Sequence, residues 1–125
     1  LPPAQATVFQ SPKVPGLLIA KRSEADRRDC PQRINLDRRG LSSVPLLEGE
    51  PRLRLLNMQG NLISTISNLT HLSHLIFLDL YANRITRLSG LAALTSLRVL
   101  MVGRNNVSKV DGLSTLKSLD VLDLH

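Results

Sequence analysis

Residues 75–96 read LIFLDLYANRITRLSGLAALTS, and the spacing of their apolar side chains decides the fold. Leu78 and Leu80 are two apart, so in an extended segment both fall on one face, with Phe77, Asp79 and Tyr81 on the other. Asn83 follows where the chain leaves that segment. An amide there can donate to and accept from backbone groups that a turning chain leaves unpaired. Ile85, Leu88, Leu91 and Leu94 then recur at three-residue spacing, which suits a tight 3-10 turn or a short α-helix. Gly90 breaks the run at a point where a backbone with positive φ costs least.

The same unit stands on both sides of this stretch. Leu53, Leu75, Leu97 and Leu119 are spaced by 22 residues, as are Leu56, Leu78, Leu100 and Leu122. So are Met58, Leu80, Val102 and Leu124, and then Asn61, Asn83 and Asn105. Asn68, Gly90 and Gly112 share one further slot, and Asn and Gly are the two residues that most readily accept positive φ. A fixed period of this length means stacked coils, each too small to bury its apolar face alone. The expected fold is therefore an α/β solenoid. It should carry a short parallel β-sheet on the concave face, 3-10 or short helical turns on the convex face, and a ladder of Asn61, Asn83 and Asn105 through the stack.

Composition agrees with such a core. The chain has 125 residues, 42% of them hydrophobic, but two Phe, one Tyr and no Trp, so the interior must be aliphatic. A net charge of +6 is modest for a chain that wraps nucleic acid, though it suits an acidic partner. The single Cys30 excludes an internal disulfide framework and a multi-thiolate zinc site. No apolar run is long enough for a membrane helix.

Outside the regular coils the pattern decays. Residues 31–52 form a worn copy: Ile34, Leu36, Leu41, Val44 and Leu47 keep apolar slots, Arg39 replaces the ladder Asn, and Glu50 replaces a core Leu. A polar-edged first coil is what an N-terminal cap requires. Residues 1–30 show no period and read as a flexible basic leader, with one helical turn at Ser23 to Asp29. Repeats then run over 53–74, 75–96 and 97–118, with a partial coil at 119–125. The last coil carries no cap signal, so the chain reads as part of a longer one.

Catalytic chemistry finds no constellation. His71 and His74 lack a third metal ligand, no phosphate-binding glycine motif occurs, and Cys30 reads as an ordinary thiol. No catalytic residue, metal or cofactor is expected, nor a small-molecule substrate. The sequons at Asn68 and Asn106 read as chance matches, because the cysteine-rich caps of extracellular repeats are missing.

What remains is a surface for protein partners. The 22-residue register places Leu55, Asn57 and Gln59, then Phe77, Asp79 and Tyr81, then Val99, Met101 and Arg104, and finally Val121 and Asp123 on the concave face. Leu55, Phe77, Val99 and Val121 make an apolar column, the mark of a binding groove or of a half-covered strand end. Arg33, Arg38 and Arg39 are candidate contacts for an acidic partner.

The unit L-x-x-L-x-L-x-x-N-x-I is that of the leucine-rich repeat in its short 22-residue form. The stretches SPKVPGLLIAKRS (11–23), RINLDRRGL (33–41), LDLYANRI (78–85) and LKSLDVLDLH (116–125) go further. They resemble the leucine-rich-repeat subunits of tubulin polyglutamylase complexes. That resemblance implies a non-catalytic scaffold that partners a tubulin-ligase-like glutamylase and tubulin, without nucleic acid or membrane insertion. It also implies a cytoplasmic, cytoskeletal location at microtubules, centrosomal satellites or cilia. Met101 and Val102 in place of a Leu pair, and Leu46 in a slot of Asn or Gly, depart from the pattern. Phosphatase regulators with similar 22-residue repeats share the same core slots and are the alternative. The ladder makes a first prediction. Asn83→Leu should lower stability by roughly 1–3 kcal/mol through unpaired backbone groups, measured by urea unfolding, and an unchanged midpoint would contradict the ladder.

Overall fold

The computed structural model describes residues 6–125. In chain order the elements are β1 (Thr7–Gln10), β2 (Leu18–Lys21), α1 (Glu24–Asp29), β3 (Arg33–Asn35), β4 (Leu46–Leu47), β5 (Leu55–Asn57), β6 (Phe77–Asp79), β7 (Arg87–Leu88), β8 (Val99–Met101), β9 (Lys109–Val110) and β10 (Val121–Asp123). One short strand begins each coil. These form a five-stranded parallel sheet in the order β10-β8-β6-β5-β3.

Register follows the period without slippage, with Leu56 opposite Leu78 and Leu78 opposite Leu100. Alternation along each strand turns Leu56, Leu78 and Leu100 inward, where none is exposed, and leaves the flanking residues half-buried outside. Ile34, Leu36, Leu53, Met58, Ile63, Leu69, Leu75, Leu80, Ile85 and Leu88 complete an aliphatic core. Burial depends on stacking. Leu122 and Leu124 occupy the same slots as Leu100 and Val102 but, with no coil over them in the structure, are 36% and 49% exposed.

The convex side carries the expected short turns, each closed by a bond between residues three apart, with no extended 3-10 or α-helix among the described residues. The coils at 53–74, 75–96 and 97–118 each make two separate tight turns, closed in the third coil by Leu94 N to Leu91 O (2.9 Å) and Leu97 N to Leu94 O (3.0 Å). Leucines at three-residue spacing are anchored inward by these single turns, and no run of consecutive bonds builds a helix. Where the chain descends, β7 and β9 pair in parallel as a second, two-stranded sheet. Asn68, Gly90 and Gly112 all have positive φ, at 61°, 74° and 69°. At Gly90 space matters as well, because a Cβ there would lie 2.6 Å from Ile66 O.

One expectation needs correction, that for residues 1–30, of which 1–5 lie outside the described residues. From residue 6 onward the stretch read as a flexible leader is folded. β1 and β2 form an antiparallel hairpin, and β2 continues in parallel with β4. Leu46, which departs from the Asn/Gly slot of later coils, is thus a strand residue pairing with Ile19. Ser11 Oγ accepts from Lys13 N (3.2 Å) and Val14 N (3.0 Å) to start the hairpin loop. Ser23 Oγ caps α1 by accepting from Asp26 N (3.1 Å).

The worn slots of the first coil explain why this segment folds back. Glu50, in a leucine slot, meets Arg22 from the hairpin: Nε to Oε2 is 2.9 Å and Nη2 to Oε1 is 2.6 Å. Their side chains are 0% and 2% exposed. Arg22 Nη1 also donates to the carbonyls of Cys30 (2.8 Å) and Arg33 (3.1 Å), so the pair is tied to the backbone on both sides. Arg39, in the ladder slot, donates to Ala6 O at 2.9 Å. The cap therefore includes both the hairpin and the first coil. Breaking the pair from one side strands a buried charge, so Glu50→Leu should cost about 3–5 kcal/mol. The double variant Arg22→Met/Glu50→Leu should recover more than half of that loss in urea unfolding. A cost below about 1 kcal/mol for Glu50→Leu would refute the assignment.

Candidate partner-binding face

The outward face of the five-stranded sheet presents columns one strand spacing, about 4.8 Å, apart. Leu55, Phe77, Val99 and Val121 are direct neighbours across β5, β6, β8 and β10. The first three are half-buried and Val121 is 46% exposed. Arg33 heads the same column, opposite Leu55. The strip is thus apolar with a cation at one end.

The next column, Asn35, Asn57, Asp79, Met101 and Asp123, has a local duty that the sequence reading missed. Asn35 Oδ1 accepts from Asp37 N (3.0 Å), Asn57 Oδ1 from Gln59 N (2.9 Å), Asp79 Oδ1 from Tyr81 N (2.9 Å) and Asp123 Oδ1 from His125 N (3.1 Å). Each of these four side chains, Met101 aside, bends the chain out of its strand by bonding two residues ahead. The available signal was Asn or Asp recurring in one slot. Three residues further on, Arg38, Gly60, Ala82 and Arg104 all have positive φ, between 52° and 73°. Only Gly60 advertised that geometry.

The third column holds Gln59, Tyr81 and Gly103. Gly103 is buried, and a Cβ there would meet Tyr81 Cε1 at 3.0 Å and Asp123 Oδ2 at 2.8 Å. The absent side chain gives the Tyr81 ring its place. Phe77 and Tyr81 therefore flank Asp79 on the outward face of β6 and the turn after it. Burial pushes the Asp79 carboxyl above its ordinary value; the Tyr81 N–H opposes this, and the Asp123 charge adds to it.

Behind the strands the asparagines join successive coils. Asn61 Nδ2 donates to Leu36 O (3.0 Å) and Met58 O (2.9 Å), while its Oδ1 accepts from Arg39 N (2.9 Å) and Leu41 N (3.1 Å). Asn83 bonds Met58 O (3.1 Å), Leu80 O (3.0 Å) and Ile63 N (3.1 Å). Asn105 bonds Leu80 O (2.9 Å), Val102 O (2.9 Å) and Ile85 N (2.9 Å).

The other candidates divide. Arg39 is engaged with Ala6, and Arg38 pairs with Asp37 at 3.2 Å. Arg33 is exposed, as is Arg104 beyond β8. His71 bonds Leu47 O through Nε2 at 3.0 Å, and the Asn68 amide donates to Val44 O at 2.8 Å, so both join coils.

Strand, asparagine turn and return, stacked in 22-residue register, are the architecture of a leucine-rich-repeat solenoid. A family model described as leucine-rich repeats (2 copies) matches residues 51–93. The chain is similar to mouse leucine-rich repeat-containing protein 49, at 47% identity over 67 residues. That match covers 54% of the chain and 10% of the mouse protein. With the human protein of the same name the identity is 48% over 58 residues, 46% of the chain and 8% of that protein. The chain thus spans about a tenth of the length of the curated relatives it matches.

Asp79 supplies a pH prediction. Its folded-state pKa lies above its unfolded value, so the folded protein holds the proton to higher pH and loses stability as pH rises through that interval. Asp79→Asn keeps an acceptor for Tyr81 N–H, as Asn57 does for Gln59. The variant should melt at a higher temperature than the parent at neutral pH, and the gap should close on acidification to about pH 3, below the ordinary Asp pKa. A variant that melts at or below the parent at neutral pH would contradict this.

Proposed function

We propose that this chain is a non-catalytic protein-binding scaffold, the repeat segment of a subunit of a tubulin polyglutamylase complex, which it helps assemble or target to microtubules. The observation that supports binding is the outward sheet face. Its apolar column runs unbroken from Leu55 through Phe77 and Val99 to Val121, with Tyr81 further along the same face. Aromatic side chains in a half-buried strip are the residues that anchor protein interfaces. The complex is proposed from the similarity to leucine-rich repeat-containing protein 49 and the resemblance of the quoted stretches to polyglutamylase subunits. In this reading the partners are a tubulin-ligase-like glutamylase and tubulin, and the location is cytoplasmic, on microtubules, centrosomal satellites or cilia.

Affinity capture of the full-length protein from neuronal or ciliated cells, with mass spectrometry of the co-purifying chains, tests this. The expected result is recovery of a glutamylase and tubulin by the parent and their loss from Phe77→Arg/Tyr81→Arg, with melting temperature unchanged. Unchanged recovery by the double variant would overturn the assignment of the sheet face. A phosphatase catalytic subunit recovered without a glutamylase would replace the complex proposed.

A further inference from the structure

Three shallow grooves adjoin where the sheet strands begin. One, of about 480 Å³, lies over Arg52, Arg54, His74 and Arg98. A second, about 530 Å³, is framed by Cys30, Pro31, Leu55 and Phe77. Gln32, Arg54 and Ile76 line both. A third, about 500 Å³, continues past Arg52 and Pro51 toward Arg27 and Arg28 of α1. The grooves form one trough whose guanidinium groups outnumber its carboxylates, which are Glu24 and Asp29 near α1 and Glu50, already paired with Arg22.

The charges differ in availability. Arg98 is neutralised by Asp120, with Nη2 to Oδ2 at 2.6 Å, and Arg27 donates to Gly49 O. Arg33, Arg52 and Arg54 are exposed and form no ion pair with a described carboxylate. Arg54 sits at the junction of the cationic and apolar grooves, one residue before Leu55 of the apolar column. Guanidinium groups open to solvent beside an apolar hollow match a chain that alternates carboxylates with an apolar side chain.

We propose that this trough binds an extended acidic peptide, with carboxylates on Arg52 and Arg54 and an apolar side chain in the hollow between Leu55, Ile76 and Phe77. The proposal rests on the protein-binding reading above and adds the chemistry of a partner. A peptide fits better than single-stranded nucleic acid. The hollow between Leu55, Ile76 and Phe77 holds one aromatic ring, whereas unspecific strand binding relies on successive stacking platforms.

The test is fluorescence anisotropy of this chain with a labelled peptide of sequence Glu-Glu-Leu-Glu-Glu, its Leu→Ser analogue, and a single-stranded RNA of equal charge. Saturable binding of the Leu peptide is expected, several-fold weaker for the Ser analogue. Arg52→Glu/Arg54→Glu should weaken it by at least about tenfold, and Arg84→Glu/Lys117→Glu, the same charge change on exposed sites elsewhere, by less than about twofold. Should the reversal variant lose its circular dichroism signature, Arg52→Ala/Arg54→Ala serves in its place with the same ordering. No saturable binding, equal loss in both charge-reversed variants, or tighter binding of the RNA would overturn the proposal. Retained capture of the full-length partners alongside any of these would remove the acidic-peptide site alone and leave the scaffold standing.

Discussion

The structure depends on a carboxamide held between two coils. Asn61, Asn83 and Asn105 each donate to carbonyls of their own and the preceding coil and accept from an amide of the preceding coil's return. A coil that turns out of a three-residue strand leaves buried backbone groups with no neighbour in their own segment, and an unpaired group of that kind costs more than most side-chain contacts contribute. One short side chain with donor and acceptor on the same planar group removes that cost. Leucine packing then fixes the spacing, and the strands align because the asparagines do.

Stacking sets a second requirement, that the first coil meet something other than a copy of itself. The β1–β2 hairpin meets it. Its β2 strand pairs with β4, and Arg22 and Arg39 connect the hairpin to the first coil through Glu50 and Ala6. A buried bidentate pair is not an efficient way to gain stability over apolar packing. Its directional bonds give one docking geometry, whereas leucine on leucine would accept several.

The sequence made the repeat legible because 22-residue periodicity is a property of side-chain burial, and burial is what apolar letters record. It also named the inward and outward residues of the strands in the five-stranded sheet and the positive-φ slot of Asn68, Gly90 and Gly112. It did not reveal the hairpin, since one short antiparallel pair without repetition resembles any proline-containing segment. Arg39 and Glu50 stood out as violations of the pattern, and each marks a contact with residues far upstream in sequence, which no local pattern encodes. On the convex side the expected short turns are single ones, because three-residue spacing is common to helices and to successive single turns. The Asn57 and Asp79 column shows the converse. Polar residues on the outward face were read as contacts, while the side chains of Asn35, Asn57, Asp79 and Asp123 are committed to turning the chain.

The central claim is that the asparagine-held stack exists to present the outward sheet face. Hydrogen exchange of the full-length protein, free and with its captured partner, measures this directly. Added protection should concentrate in peptides covering 55–59, 77–81 and 99–104. Protection confined to the convex turns at 69–75 and 91–97, with the strand peptides unchanged, would contradict the account.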